Sequence, residues 1–253
     1  MMSKSSSQAA RSVKGRSQQK NQRATLISVV GIVAVVFVAL LLFLLQQANQ
    51  TSHTIVNPGK YAQIPQTTTS DGMPVLGSPD AKVTVMEFAD FSCPHCLEYL
   101  PTTEQLIEKY VQTGKVRFVY SPLTFVGGTF SEIAAQAALC AGKQNAFWEM
   151  HDAIFSLQQT GGYQSFQVEI LKNVANNLNL NGDALGKCVA NGETEATLKA
   201  AADLGNKLGV NGTPSMLYST DGQNYMWWNG VSANDHIIPQ FDMISEVLNK
   251  IVS

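Results

Sequence analysis

Apolar and polar positions divide this chain into four stretches. Residues 1–23 are rich in Ser, Gln and basic residues and carry no apolar period, which predicts a disordered tail. Residues 24–45, ATLISVVGIVAVVFVALLLFLL, contain no charged side chain. As a helix they rise roughly 33 Å, enough to cross a bilayer's hydrocarbon core. Residues 46–73 are polar again without a sustained period and read as a flexible tether of about 30 Å root-mean-square span. The folded part is then expected over residues 74–253.

Within that part the periods alternate. Val83, Val85 and Phe88, with Thr84 and Met86 between them, predict a strand. Asp90-Phe91-Ser92 leads from it into Cys93-Pro94-His95-Cys96 and a helix reaching toward Gly114. Pro94 suits a first helical position, which makes Cys93 the cap, and Pro101 farther in is expected to kink the helix. Val116–Tyr120 reads as a second strand. From Phe130 to Leu208 the pattern is helical: Phe130, Ile133, Ala134, Ala137 and Ala138 share one face, and Phe147, Met150, His151 and Ile154 another. Gly209 ends that block as a C-cap. Ser215–Tyr218 and Tyr225–Trp228 flank Asp221-Gly222 as a hairpin, and a closing helix is expected over 237–251. This order predicts an α/β domain with a mostly helical insertion at about 129–208.

Charge changes the picture at the N-terminus. The net charge of −2 hides an asymmetry: Lys4, Arg11, Lys14, Arg16, Lys20 and Arg23 precede the apolar run with no acidic residue among them. The other 11 basic and all 19 acidic residues follow, so that part carries −8. A basic tail can bind nucleic acid, but beside an apolar run it predicts topology: N-terminus in the cytoplasm, the rest outside, with a single transmembrane helix as a membrane anchor and no nucleic-acid partner. A cleaved signal peptide is the rival reading, but such apolar cores are shorter, and Gln46 and Ala48 make a poor cleavage site.

Four cysteines in an exported chain form an even set of two kinds. Cys93 and Cys96 are three apart at a strand-to-helix junction, whereas Cys140 and Cys188 lie far apart in the helical block. A structural zinc knuckle is the bland reading of the C-x-x-C, but zinc needs about four ligands. His53, His151 and His236 stand at no metal-like spacing, so no metal is assigned and no cofactor is implied. Helix geometry favours a redox dithiol instead. A cap sulfur at Cys93 faces the free N–H groups of His95 and Cys96 at the positive end of the helix dipole, which lowers its pKa. Cys96 is on the same face, one turn on. A protonated His95 would stabilise the thiolate further, or His95 is a solvated surface residue. Each unit of pKa depression below ambient pH favours the reduced form by about 1.4 kcal/mol, or about 30 mV, which makes the disulfide a stronger oxidant.

The stretch VMEFADFSCPHC, the later LGVNGTPSM and the helical block between them resemble the DsbA-like branch of the thioredoxin superfamily over residues 75–253. The resemblance implies a thioredoxin fold with an inserted mostly helical domain. It implies a protein disulfide oxidoreductase in which Cys93 is the exposed nucleophile and Cys96 resolves. Thr213-Pro214 corresponds to the cis-proline loop that helps bind substrate, and Cys140 with Cys188 to the second, structural pair of some members; two buried free thiols are the alternative. Glu87 occupies the position of the buried acidic residue that exchanges protons with Cys96, unless it faces solvent at the edge of the sheet. Thr213 departs from the Val common before that proline in the oxidases and occurs in isomerase relatives. Implied partners are reduced exported proteins and a quinone-linked membrane reoxidant of the DsbB or vitamin K epoxide reductase-like type. An isomerase or reductase is the nearest alternative, and a redox-inactive binding module or chaperone the more distant one. A glycan on the Asn211 sequon would cover the proline loop, which points to a bacterial source.

Overall fold

The computed structural model describes residues 37–38, 59–228 and 238–252. The chain divides into two units, residues 1–53 and 54–253. In the first only Phe37 and Val38 are described, both helical and exposed. Among the described residues no helix is long and apolar enough to cross a membrane, and the run at 24–45 otherwise lies outside them.

Among the described residues of the second unit there are six strands: β1 (Gln66–Thr68), β2 (Pro74–Leu76), β3 (Val83–Ala89), β4 (Val116–Pro122), β5 (Ser215–Ser219) and β6 (Met226–Trp227). They form one sheet in the order β1-β2-β4-β3-β5-β6. Among the described strands β3 and β4 run parallel and the other neighbours antiparallel. Seven α-helices accompany them among the described residues: α1 (Pro94–Leu106), α2 (Thr129–Gly142), α3 (Phe147–Gly161), α4 (Val168–Asn177), α5 (Gly182–Ala190), α6 (Glu195–Lys207) and α7 (Phe241–Val252). The thioredoxin-like sheet is thus interrupted between β4 and β5 by five helices, as the pattern predicted. α1 is one helix through Pro101 and passes into a π-helical turn at Ile107–Val111.

The strand period sorts the core into two layers. Val83, Val85 and Ala89 of β3, with Val116, Phe118 and Tyr120 of β4, face the larger cluster, which α1, α2, α3 and α7 complete. Met86, Phe88 and Val119 point the other way and pack with Met73, Val75, Leu217 and Ala201 of α6. Each Val, Leu, Met or Phe among them, fully withdrawn from water, stabilises the fold by about 1.5–3 kcal/mol before chain entropy is subtracted.

The tether expected over 46–73 needs correction. Its last part belongs to the fold: Tyr61, Ile64 and Met73 are buried, and Gln66–Thr68 pairs antiparallel with Pro74–Leu76. Lys60 Nζ bridges Glu104 at 2.7 Å and Asp152 at 3.0 Å, so this segment is pinned to α1 and α3 together. A three-residue strand is too short to show a period, and its identity comes from its partner.

Candidate active site

β3 delivers the site. At its end the Cys93 N–H donates to the Asp90 carbonyl at 3.0 Å, and Ser92 N–H donates to Asp90 Oδ1 at 2.8 Å, an Asx turn that redirects the strand into a helix. Phe91, between them, is driven into the core against Phe155 and Tyr120 at centroid distances of 5.0 and 5.5 Å. Cys93 has extended backbone angles, φ −77° and ψ 121°, and caps α1, whose first residue is Pro94. Proline loses nothing there, because a first-turn N–H has no helical partner.

Both thiols are free. Cys93, expected as an exposed nucleophile, is only 5% exposed, and Cys96 is 1% exposed. The cover over Cys93 is the proline loop: its S–H donates to the Thr213 carbonyl at 3.3 Å, and the Thr213–Pro214 bond is cis. The S–H donates to Thr213 and closes no cap hydrogen bond, but the N–H groups of His95 and Cys96 act on the sulfur and favour its anion, as expected of the cap position.

The electrostatics separate the two thiols. Cys93 is lowered to about 5, chiefly by a hydrogen bond from the Cys96 thiol; burial opposes this, and the Thr213 side chain and the N–H groups of Cys96 and His95 add to it. Cys96 is raised, first by burial and then by the anion at Cys93, while the Asp90 N–H, 3.5 Å from its sulfur, works the other way. At neutral pH one proton remains on the pair, and it sits on Cys96.

His95 is exposed, and its Nδ1 lies 3.1 Å from Glu98 Oε2. Its pKa is raised, first by that carboxylate and then by the charge of Cys93. The ring therefore pairs with Glu98, and the direct hand of His95 on the sulfur is its backbone N–H. Glu87 does not face solvent. It is 3% exposed in the central strand, flanked by Tyr120 and Met216, because β3 has a partner on each side. Thr103 Oγ1 donates to its Oε2 at 3.0 Å. Burial pushes its pKa up to about 7 against that bond, and its charge is among the causes that raise Cys96. Cys140 and Cys188 form a disulfide between α2 and α5, with Cα atoms 6.0 Å apart.

Two residues escaped the sequence reading. Asp90 is fully buried and accepts from Ser92 N–H, from Val126 N–H at 2.9 Å and from the Ser131 hydroxyl at 2.6 Å. An acidic residue two before a backbone turn was the available signal. Thr103 shares the buried face of α1 with Cys96 and Tyr99, and that i, i+3, i+7 spacing was its signal.

A family model described as thioredoxin matches residues 69–237, more than half of the chain. The Na(+)/H(+) antiporter NhaA 3 of Salinispora tropica is 34% identical over 143 residues, 56% of this chain and 21% of that protein; the chain spans only about a fifth of this relative. The probable disulfide bond formation protein D of Bacillus anthracis is 29% identical over 180 residues, 69% of this chain and 76% of that one. The crystal structure of oxidised BdbD from Bacillus subtilis superposes with a TM-score of 0.59 at 22% identity, covering 75% of this chain and 98% of that one. The chain belongs to the thioredoxin family.

Proposed function

We propose that this protein is a disulfide oxidase that donates the Cys93–Cys96 disulfide to reduced exported proteins, held at the outer face of the membrane by residues 24–45. The observation that carries the reading is the asymmetry of the dithiol: Cys93 at about 5 under the proline loop, and Cys96 raised behind it. A stabilised thiolate favours the reduced pair, so the disulfide is a strong oxidant.

In the reaction a substrate thiolate attacks Cys93 Sγ of the disulfide. The bond between the two enzyme sulfurs breaks, and Cys96 leaves and takes up a proton, for which Glu87 is the nearby buried acid. A second substrate thiolate attacks the substrate sulfur of the mixed disulfide and expels Cys93 as a stable anion. Two electrons pass to the enzyme, and a quinone-linked membrane protein of the DsbB or vitamin K epoxide reductase-like type removes them. Similarity to a protein named for disulfide bond formation supports the same direction.

The reduction potential of the full chain at pH 7 tests the chemistry. It is expected above thioredoxin's value of about −270 mV. A potential at or below that value, with a Cys93 pKa near about 8.5, would hand the site to the reductase or isomerase reading. A reporter fused after Ser253 is expected to be active outside the cytoplasm; activity only inside overturns the topology.

A further inference from the structure

The end of β3 is bordered by a second feature that the dithiol chemistry does not use. Leu123 N–H donates to the Ala89 carbonyl at 2.8 Å, and Val126 N–H to Asp90, so the segment leaving β4 is strapped beside the segment entering the Cys93 turn. On the other side Ser215 of β5 lies opposite Phe88, which brings the residues before Pro214 to the same end of the sheet. Between these two segments and the C-terminal half of α6 is a cavity of about 420 Å³, lined among others by Leu123, Phe125, Ala202, Asn206, Val210 and Asn211.

Its chemistry is specific. No charged side chain lines it. Phe125 and its neighbour Val126 are held 57% and 41% exposed, although water is the wrong solvent for both. Asn206 and Asn211 are exposed on the rim, and each amide offers both a donor and an acceptor, the pair of functions a peptide bond presents. Asn211 is two residues from Thr213, whose carbonyl touches Cys93 Sγ, so their Cα atoms are at most about 7.6 Å apart. An extended chain advances about 3.4 Å per residue.

We infer that this cavity is a side-chain subsite for the substrate polypeptide, taking an aliphatic or aromatic residue two or three positions from the cysteine bound to Cys93. The inference rests on the proposed oxidase reading for its substrate class. Continuity with the thiol site makes the occupant an extended, unfolded peptide, in which an apolar side chain is still free to leave water.

Competition between two reduced peptides, identical except for Leu or Ser two and three residues from a single cysteine, reads the subsite against the oxidised full chain. Leu is expected to be preferred about tenfold, within what burying one such side chain supplies. Ala202→Trp, a change at an exposed position of α6, fills the cavity and is expected to bring the ratio within about twofold. No preference in the parent chain, or a preference that Ala202→Trp leaves intact, overturns the subsite. So does one that vanishes as protein concentration rises, which would give the cavity to a second copy. The same competition with peptide–glutathione disulfides on Cys96→Ser reads mixed-disulfide selection whichever way electrons flow. Absent peptide oxidation by the parent chain, with selection retained on Cys96→Ser, would therefore sink the oxidase reading and leave the subsite standing.

Discussion

Asp90 donates its backbone N–H to Cys96 Sγ at 3.5 Å, while its carboxylate holds the N–H of Val126 and the hydroxyl of Ser131. One buried residue therefore touches the Cys96 sulfur and secures the chain where it enters the helical insertion. Asp90→Ala is expected to strand three donors and destabilise the fold by roughly 2–4 kcal/mol. Asp90→Asn, which keeps one acceptor oxygen, should lose markedly less. Urea unfolding of both variants checks the order; equal losses would mean that the carboxylate is not the clamp.

The potential of the dithiol should depend on pH with two slopes. Below about pH 5 both thiols of the reduced form are protonated, and reduction takes up two protons. Between about 5 and the raised value of Cys96 only one is taken up. The slope at pH 7 is therefore expected near −30 mV per unit, steepening to about −59 mV below pH 5. Redox titrations against glutathione across pH 4–8 measure it. A slope of −59 mV at pH 7 would show Cys93 to be an ordinary thiol.

Glu87 should weaken the fold as pH rises. Its folded pKa, about 7, is above the ordinary carboxyl value of 4.5 because the group is buried. Native protein holds the proton more tightly than unfolded chain does, and that stability is present below about pH 4.5 and lost as pH climbs through 7. Glu87→Gln removes the titration and retains an acceptor for Thr103. It is expected to be more stable than the parent at pH 8, by as much as ~3 kcal/mol, with the gap closing toward pH 4.5. Thermal unfolding at the two pH values compares them.

Cys93 and the bridge should separate under alkylation. With mild reductant Cys93 is expected to react first because it is a thiolate at neutral pH, whereas Cys140 and Cys188 stay unlabelled until the fold opens. Replacing the bridged pair by Ala should cost about 4 kcal/mol as an upper figure for a 48-residue separation. Mass mapping of labelled peptides from the native protein decides the first part.

What lies within a turn or two along the chain was determined by the sequence itself. The β-branched run of β3, the proline at the first position of α1 and the helical period through 129–207 are local preferences, and the structure follows them. The two cysteines at one helix start follow the same rule, since their spacing alone puts them on one face. Long-range partners decided the rest. β1 and β2 carry too few residues for a period and exist because each pairs with a neighbour. Glu87 could have lined an edge; only the arrival of β4 and β5 on either side buries it. The Thr213 carbonyl meets Cys93 across 120 residues, and Ser131 meets Asp90 across 41. No local period encodes a contact between segments so far apart. Those positions are set when the two faces of the sheet are buried, and with them the surroundings that split the pKa values of two chemically identical thiols.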